Sequence, residues 1–210
     1  MSEGDHGGHR HGGHDHEQIG PFHGRIAGQS ISDWTEDWYT WAMQAPSEIS
    51  PLTGGVRADG VAGYDAGRMY FLGSYDTSGG PLQATVQHGD AILVPLVNFV
   101  DTLDPKPVAN AVVKDGLQSV ESLFAVVDGK SIDHLRAGLI RTDFFSAGPT
   151  QQGSWANVAG VEVGQELTPT KGAGYWIVLQ GLAKGTHTIE FGGTTDKGLS
   201  FDTKDVINVV

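Results

Sequence analysis

The sequence predicts an all-β fold: an antiparallel β-sandwich of jelly-roll or immunoglobulin-like type, with an N-terminal amphipathic helix packed on it and one short inserted helix. Three observations predict it. Eight short runs of strand-forming residues follow one another from residue 68 onwards, and Gly, Pro, Asp and Ser separate them. One apolar stripe at helical spacing precedes the runs. The turns recur at intervals that are typical of a sandwich.

The predicted strands are RMYFLGSY from residue 68, LQATVQ from 82, AILVPLVNF from 91, SLFAVVDG from 122, LIRTDFF from 139, GYWIVLQ from 174, THTIEFGG from 186 and LSFDTKDVINVV from 199. Two segments interrupt this series. Residues 107–119 are predicted to form the short inserted helix. Residues 147–173 exceed the length of an ordinary loop, so we expect them to be functional, unstructured or to contain a further strand.

The N-terminal helix is predicted over SISDWTEDWYTWAMQAP, residues 30–46. Ser30 or Ser32 can cap its start, and Pro46 ends it. Its apolar stripe consists of Ile31, Trp34, Trp38, Trp41, Ala42 and Ala45. Aromatic stripes can bind sugar rings, but a stripe at helical spacing more commonly buries itself, so we expect this one to pack in the core.

Composition excludes several classes of protein. A chain of 210 residues is expected to form one domain with a sizeable core. Its formal charge of -12 disfavours nucleic acids and anionic membranes. The longest apolar run, residues 91–100, is about half a membrane span, and the start lacks the usual form of a signal peptide. We therefore expect no membrane insertion. The absence of cysteine leaves His, Asp and Glu as the strong metal ligands.

The first 25 residues are polar and glycine-rich, so we expect residues 1–25 to be a flexible arm and residues 26–210 to be the sandwich domain. The arm repeats a unit, HGGHR and then HGGHD. Residues i and i+2 of an extended chain point to the same side, and paired glycines let the chain bend around an ion. The predicted metal ligands are His6, His9, His11, His14, His16 and His23.

Imidazole ligands without thiolates favour Cu(II), followed by Ni or Zn according to supply. Protons compete for the same nitrogens, so binding should weaken as the pH falls through about 6.5. Two alternatives remain open. The arm can be a solvated tail or a tag, although its interleaved repeat is unlike an unbroken histidine tag. It can also be an electrostatic element that docks on the acidic body when its histidines are protonated.

Three further histidines, His88, His134 and His187, are scattered over the predicted strand ends. Single histidines in such places are most simply surface residues. His88 and His187 would form a secondary metal site if their strands were adjacent.

The loop NFVDTLDPKP follows a predicted buried strand and offers three oxygen ligands, Asn98, Asp101 and Asp104. Such ligands suit calcium or a hydroxyl-rich ligand. Turn chemistry also explains Asp and Pro there. Trp155, isolated in the long segment, is a further candidate ligand contact.

Several motifs occur in a familiar order: the helix WTEDWYTW, the strand YFLGSY, the hairpin region ATVQHGDAILVPLVN, the turn VVDGKSI and the ending GYWIVLQGLAKGTHTIEFGG. In these motifs the chain resembles a group of bacterial single-domain β-sandwich proteins that have an N-terminal tryptophan-rich helix and a C-terminal GYWxxLxxLxxGTHTIxFGG pattern. The resemblance covers residues 26–210 and implies the fold alone; members of the group are often exported proteins. It implies no activity and no catalytic residue, and the histidine arm lies outside it.

The sequence contains no nucleophile elbow, phosphate loop or HExxH motif, which disfavours an enzyme. We expect a non-enzymatic transition-metal-binding protein that serves sequestration, delivery or metal-dependent assembly through its arm. One alternative is a carbohydrate-binding or carbohydrate-active sandwich that uses Trp155 with Asp101 or Asp104. Another is a structural subunit that forms homo-oligomers through its sheet edges. The acidic, cysteine-free composition favours an extracytoplasmic location reached by a leaderless route, with the cytoplasm as the alternative.

Overall fold

The structure, a computed structural model, describes residues 18–57 and 59–210. Within these residues the strands are β1 (Gln18–Gly20), β2 (Arg25–Ile26), β3 (Gln29–Ser30), β4 (Gly63–Asp65), β5 (Met69–Leu72), β6 (Leu82–Val86), β7 (Ala91–Thr102), β8 (Val120–Val127), β9 (Lys130–Ser131), β10 (Leu139–Arg141), β11 (Thr170–Gln180), β12 (Gly185–Thr195) and β13 (Ser200–Val209). The helices are α1 (Ile31–Gln44), α2 (Lys106–Gln118) and α3 (Trp155–Val158), with single 3-10 turns at Pro51–Thr53 and Leu135–Gly138. No helix in the described part of the chain is long and apolar enough to cross a bilayer.

All eight predicted strands are confirmed, as β5 to β8 and β10 to β13. The strands that sequence reasoning missed, β1 to β4 and β9, are two or three residues long. Runs this short cannot show an alternation of apolar and polar residues, and their pairing partners hold them in place.

The described strands form two large sheets, and β2 and β3 form a separate pair. The first sheet has the order β1-β11-β7-β5-β4, with β10 also paired to β11, and the second has the order β6-β13-β12-β8-β9. The expected strand-rich, sandwich-like arrangement is therefore correct. The prediction of purely antiparallel sheets is wrong, because β5 pairs with β7 and β6 pairs with β13 in parallel. Each parallel pair has a crossover between its strands, which the spacing of strand-forming runs does not reveal.

The first sheet is covered on both of its faces. On one face, Ile92 and Leu179 share a core with Phe191 and Ile207 of the second sheet. On the other face, Leu93, Trp176 and neighbouring side chains pack against α1. The layers are thus α1, the first sheet and the second sheet. A strand buried on both faces needs apolar residues at every position, which explains the unbroken apolar run at the start of β7.

The cap of α1 follows the sequence prediction. The Ser30 side chain accepts a hydrogen bond from the Asp33 amide, and the Asp33 carboxylate accepts one from the Ser30 amide. This reciprocal capping box satisfies two backbone donors at the helix start. It settles the choice between Ser30 and Ser32 in favour of Ser30.

The buried face of α1 is rotated from the predicted stripe. Ile31, Trp34, Trp38, Ala42 and Ala45 are buried as expected. Thr35, Tyr39 and Met43 are fully buried as well, so the helix turns that side towards the sheet. Trp41 consequently lies at the margin of the buried face and is half-buried. The prediction that Trp41 belongs to the core stripe is therefore only partly correct.

The inserted helix is confirmed as α2, which places Val113 and Leu117 in the core between the sheets. Gly116 lies within it, although glycine weakens helices. A Cβ atom at Gly116 would lie 2.5 Å from the ring of Phe99. The glycine therefore allows the helix to approach the ring closely.

The long segment 147–173 is ordered and lies beside α1. Its start and end are joined by a bridge between Pro149 and Glu166, and it contains α3. The Trp155 amide donates a hydrogen bond to the Ala45 carbonyl at the end of α1. The segment contains no further strand among the described residues; the strand predicted from residue 174 instead begins earlier, at Thr170.

The folded body begins earlier than the predicted boundary at residue 26. Gln18 to Gly20 pair with β11, with Gln18 opposite Gln180. The His23 ring nitrogen Nε2 lies 2.6 Å from the Ala137 carbonyl oxygen. An edge strand pairs through its backbone N–H and C=O groups and does not need apolar side chains. The polar composition of the first 25 residues therefore did not indicate that residues 18–20 pair with β11.

Candidate functional site

A groove of about 620 Å³ lies between α1 and the edge strand β4. Four aromatic side chains line it: Trp34, Trp41, Tyr64 and Phe71. Its polar lining consists of Asp37, Thr40, Gln44 and Asp65. Ligand sites are commonly concave, largely apolar and of roughly 300–1,000 Å³, with a few polar groups that orient the ligand. The groove matches this description.

The pairing of β4 with β5 places Tyr64 at the groove. Tyr64 stands opposite Phe71, so both side chains lie on the face of the first sheet that α1 covers. Gly63 precedes it, and a Cβ atom there would lie 1.8 Å from the Phe71 carbonyl oxygen. A larger residue would therefore push β4 away from β5. Tyr64 remains 47% exposed.

Trp41 meets Tyr64 across the groove wall. The two rings are stacked, with centroids 5.6 Å apart and an angle of 17° between their planes. The other two tryptophans of α1 are buried and their indole groups are occupied, because Trp34 donates to the Ile26 carbonyl and Trp38 to the Leu72 carbonyl. The sequence suggested an aromatic surface on this helix that could bind a ligand, but it did not single out Trp41. No pattern around Tyr64 indicated it.

The polar groups of the groove are held in position by their neighbours. Asp37 accepts a hydrogen bond from the side-chain amide of Gln29, and Asp65 accepts one from the Gly67 amide. The side-chain amide of Gln44 donates to carbonyl groups of the segment after residue 146. No Lys, Arg or His side chain lines the groove in the part of the chain that the structure describes.

His187, a predicted secondary metal ligand, is engaged in hydrogen bonds. Its Nδ1 lies 2.7 Å from Oδ2 of Asp128, and its Nε2 lies 2.8 Å from the Ala183 carbonyl oxygen. Partial burial raises the pKa of Asp128, but the hydrogen bonds from His187 and the Thr188 amide outweigh it and lower this pKa. Metal binding by His187 would disrupt this arrangement.

His88 and His187 do not lie on adjacent strands. His88 follows β6 and His187 is in β12, and β13 runs between these two strands. The condition for a joint metal site is therefore not met. In residues 18–57 and 59–210, no group of three or more His, Asp or Glu side chains is arranged to hold a metal ion.

The predicted ligands of the arm lie largely outside the described residues. His6, His9, His11, His14 and His16 are all among residues 1–17. His23 is described and exposed, beside the 3-10 turn that follows His134.

The strand geometry of β7 separates the ligands of the predicted calcium loop. Asn98 and Asp101 are an odd number of residues apart in the strand, so their side chains point to opposite faces. Asp101 and Asp104 remain neighbours. Burial raises the pKa of Asp101, and the adjacent Asp104 carboxyl raises it further. Asn98 instead lines a separate cavity of about 350 Å³ with Trp38 and Phe201.

Trp155 is half-buried and packs against the core cluster beneath α1. The carbohydrate alternative used Trp155 with Asp101 or Asp104. Trp155 does not line the groove between α1 and β4, whereas Trp41 and Tyr64 do.

The fold and the groove define a protein of two facing mixed sheets, with a helix on the outer face of the first sheet and an aromatic groove at the edge of that helix. No protein family matches this chain, and no curated protein matches it. A solved structure described as the solution structure of amebosin is similar at 15% identity, over 68% of this chain and 97% of that chain, with a TM-score of 0.22. A similarity this weak gives neither a fold family nor a function.

Proposed function

We propose that this protein is a non-enzymatic binding protein whose groove between α1 and β4 binds a carbohydrate. The observation that carries the proposal is the stacked pair of Trp41 and Tyr64 on the wall of an open groove. The carrier in this proposal is a β-sandwich of jelly-roll or immunoglobulin-like type. The extracytoplasmic location expected from the composition belongs to the proposal as well.

The chemistry of the groove suits a sugar. The C–H groups of a pyranose ring can pack on an aromatic surface while its hydroxyl groups reach polar neighbours. Trp41 and Tyr64 supply a large and rigid aromatic surface. Asp37 and Thr40 of α1 supply side-chain oxygen atoms beside it. This combination of apolar surface and a few oriented polar groups is typical of a small-molecule site.

We expect Trp41→Ala and Tyr64→Ala each to raise the Kd for a bound oligosaccharide at least about tenfold, the factor that corresponds to a loss of about 1.4 kcal/mol. Both substitutions remove part of the aromatic surface. Isothermal titration calorimetry with a panel of tetrasaccharides measures the effect. Trp155→Phe is the matched control, because Trp155, like Trp41, is partly buried against the core cluster beneath α1 but does not line the groove. Binding that persists in both groove variants and is lost in the control would contradict the proposal.

A second function, transition-metal binding by residues 6–16, is favoured by the repeated HGGH unit of the sequence. It would serve sequestration, delivery or metal-dependent assembly, with copper, nickel or zinc as the ion. Both functions can coexist, because the groove lies between α1 and β4 and the histidine segment precedes β1.

We expect deletion of residues 1–17 to abolish tight Cu(II) binding at about pH 7.5, where imidazole is neutral. The deletion should stop before Gln18, because a cut at residue 25 would also remove β1 from the first sheet. Calorimetry with Cu(II), Ni(II) and Zn(II) on the full chain and the truncated chain measures the loss. Unchanged binding in the truncated chain would refute this role of the segment and direct attention to His23, His88, His134 and His187.

A further inference from the structure

The edge strand β4 is held on its outer side as well as by β5. The Ala66 amide donates a hydrogen bond to the Met69 carbonyl, and the bonds of an antiparallel pair recur at every second residue. The Tyr64 backbone therefore bonds towards β5, and the Gly63 carbonyl points to the open edge. There it accepts a hydrogen bond from Nη1 of Arg57 over 3.3 Å. This bond acts on the residue directly before Tyr64.

Arg57 is buried beneath this edge and joins several groups. It is 7% exposed, and its charge is neutralised by Asp59, whose two carboxylate oxygens lie 2.7 Å from Nε and 3.0 Å from Nη2. Its Nη1 also donates to the Tyr75 hydroxyl over 2.9 Å. A guanidinium is a rigid planar fork with five N–H donors, so one side chain can bind all three partners at once.

Tyr75 extends this contact to a second part of the groove wall. Its hydroxyl donates to the Ile49 carbonyl over 2.9 Å, and Ile49 lines the groove. The backbone of Tyr75 is itself fixed, because the Thr203 hydroxyl of β13 accepts a bond from its amide and donates one to its carbonyl. Arg57 and Tyr75 thus connect the wall segments at Gly63 and Ile49 to the second sheet.

We infer that Arg57 is a positioning residue of the groove, which holds β4 where Tyr64 stacks on Trp41. Arg57 does not line the groove, so it acts through the wall and not on the ligand. For ligand binding, this inference rests on the proposed carbohydrate function. The placement of the two rings can be measured without a ligand.

The first test measures the contact between the rings. Arg57→Met keeps an unbranched apolar side chain but removes the charge and all donors. We expect the nuclear Overhauser contacts between the Trp41 and Tyr64 rings of the full chain to be lost. Arg136→Met is the matched control, because Arg136 also donates to backbone carbonyls and lies over a tyrosine ring, Tyr175, but does not line the groove. It should keep these contacts.

Arg57→Lys is the second variant and decides the question if circular dichroism shows that Arg57→Met is unfolded. Lysine keeps a positive charge beside Asp59 but has no planar fork, so it cannot serve Gly63 and Tyr75 together. We expect the ring contacts to be weakened in this variant too.

The second test is a double-mutant cycle with a β-1,4-linked glucose tetramer as the probe. The probe is uncharged, so the loss of a charge at residue 57 has no direct effect on it. We expect Arg57→Met to raise the Kd at least about tenfold in the parent chain. In the Tyr64→Ala chain it should raise the Kd less than about twofold, because Arg57 acts through Tyr64.

The outcomes separate the inference from the carbohydrate function. Ring contacts that persist in both Arg57 variants, or that are lost equally in Arg136→Met, overturn the inference. A tenfold loss that is repeated in the Tyr64→Ala chain overturns it as well. If the rings separate only in the Arg57 variants but no tetrasaccharide of the panel binds the parent chain, the positioning role stands and the carbohydrate function fails.

Discussion

Trp38→Ala is expected to lower the free energy of unfolding by about 3 to 5 kcal/mol, the usual cost of removing a buried tryptophan ring. Trp38 is 1% exposed and packs edge-on against Trp176, with ring centroids 5.2 Å apart. Its indole N–H donates to the Leu72 carbonyl over 2.7 Å, which ties α1 to β5. The substitution opens a cavity between the helix and the first sheet and leaves this buried carbonyl without its donor. Urea denaturation followed by far-ultraviolet circular dichroism measures the loss.

Trp41→Ala on the same helix is the matched comparison. Trp41 has the same side chain but lies at the margin of the buried face. We therefore expect Trp41→Ala to lower the free energy of unfolding by less than half as much as Trp38→Ala does. It should instead lose ligand binding. Equal losses of stability in the two variants would show that Trp41 is a core residue and would remove the argument for the groove.

Asp205 is the second position with a large expected effect. Its side chain points into the core from the centre of β13 and is fully buried. Neither carboxyl oxygen has a hydrogen-bond partner among the described residues. Burial raises the pKa of Asp205 well above its usual value, because an unpaired charge in the core is costly. We therefore expect the folded protein to keep Asp205 protonated well above the ordinary pKa of an aspartate.

We expect this protein to become less stable as the pH rises above about 4, and Asp205→Asn to remove much of that loss. Below the ordinary Asp pKa of 3.8, Asp205 is protonated in both states and contributes no pH dependence. Above it, the unfolded chain releases the proton while the folded chain retains it, which costs about 1.4 kcal/mol per pH unit up to the raised pKa. Asparagine does not ionise, so the variant should be more stable than the parent at about pH 8.

Urea denaturation at several pH values between about 4 and 8 measures this slope. Asp202→Asn is the control, because Asp202 lies on the same strand but is exposed. It should follow the pH dependence of the parent. If Asp205→Asn also follows the parent across the whole range, Asp205 is ionised in the folded protein and the argument from its burial is wrong.

Much of the fold could be predicted from the sequence by itself. The capping residue Ser30 and the helical spacing of the tryptophans determine α1, and eight runs of strand formers determine the long strands. These signals are local, because a helix repeats about every 3.6 residues and a strand every two, so a short window of sequence contains them. The HGGH repeat is local in the same sense, and the metal-binding hypothesis could be stated without a structure.

The groove forms only in the tertiary structure. Trp41 and Tyr64 are separated by more than twenty residues, and they meet because β4 joins the edge of the first sheet beside α1. The buried environment of Asp205 and the hydrogen bond between His187 and Asp128 likewise depend on which strands become neighbours. Pairing between distant strands is set by the packing of the whole chain rather than by any one segment. The sequence therefore determined the elements of this protein, and their arrangement in space brought its candidate binding residues together.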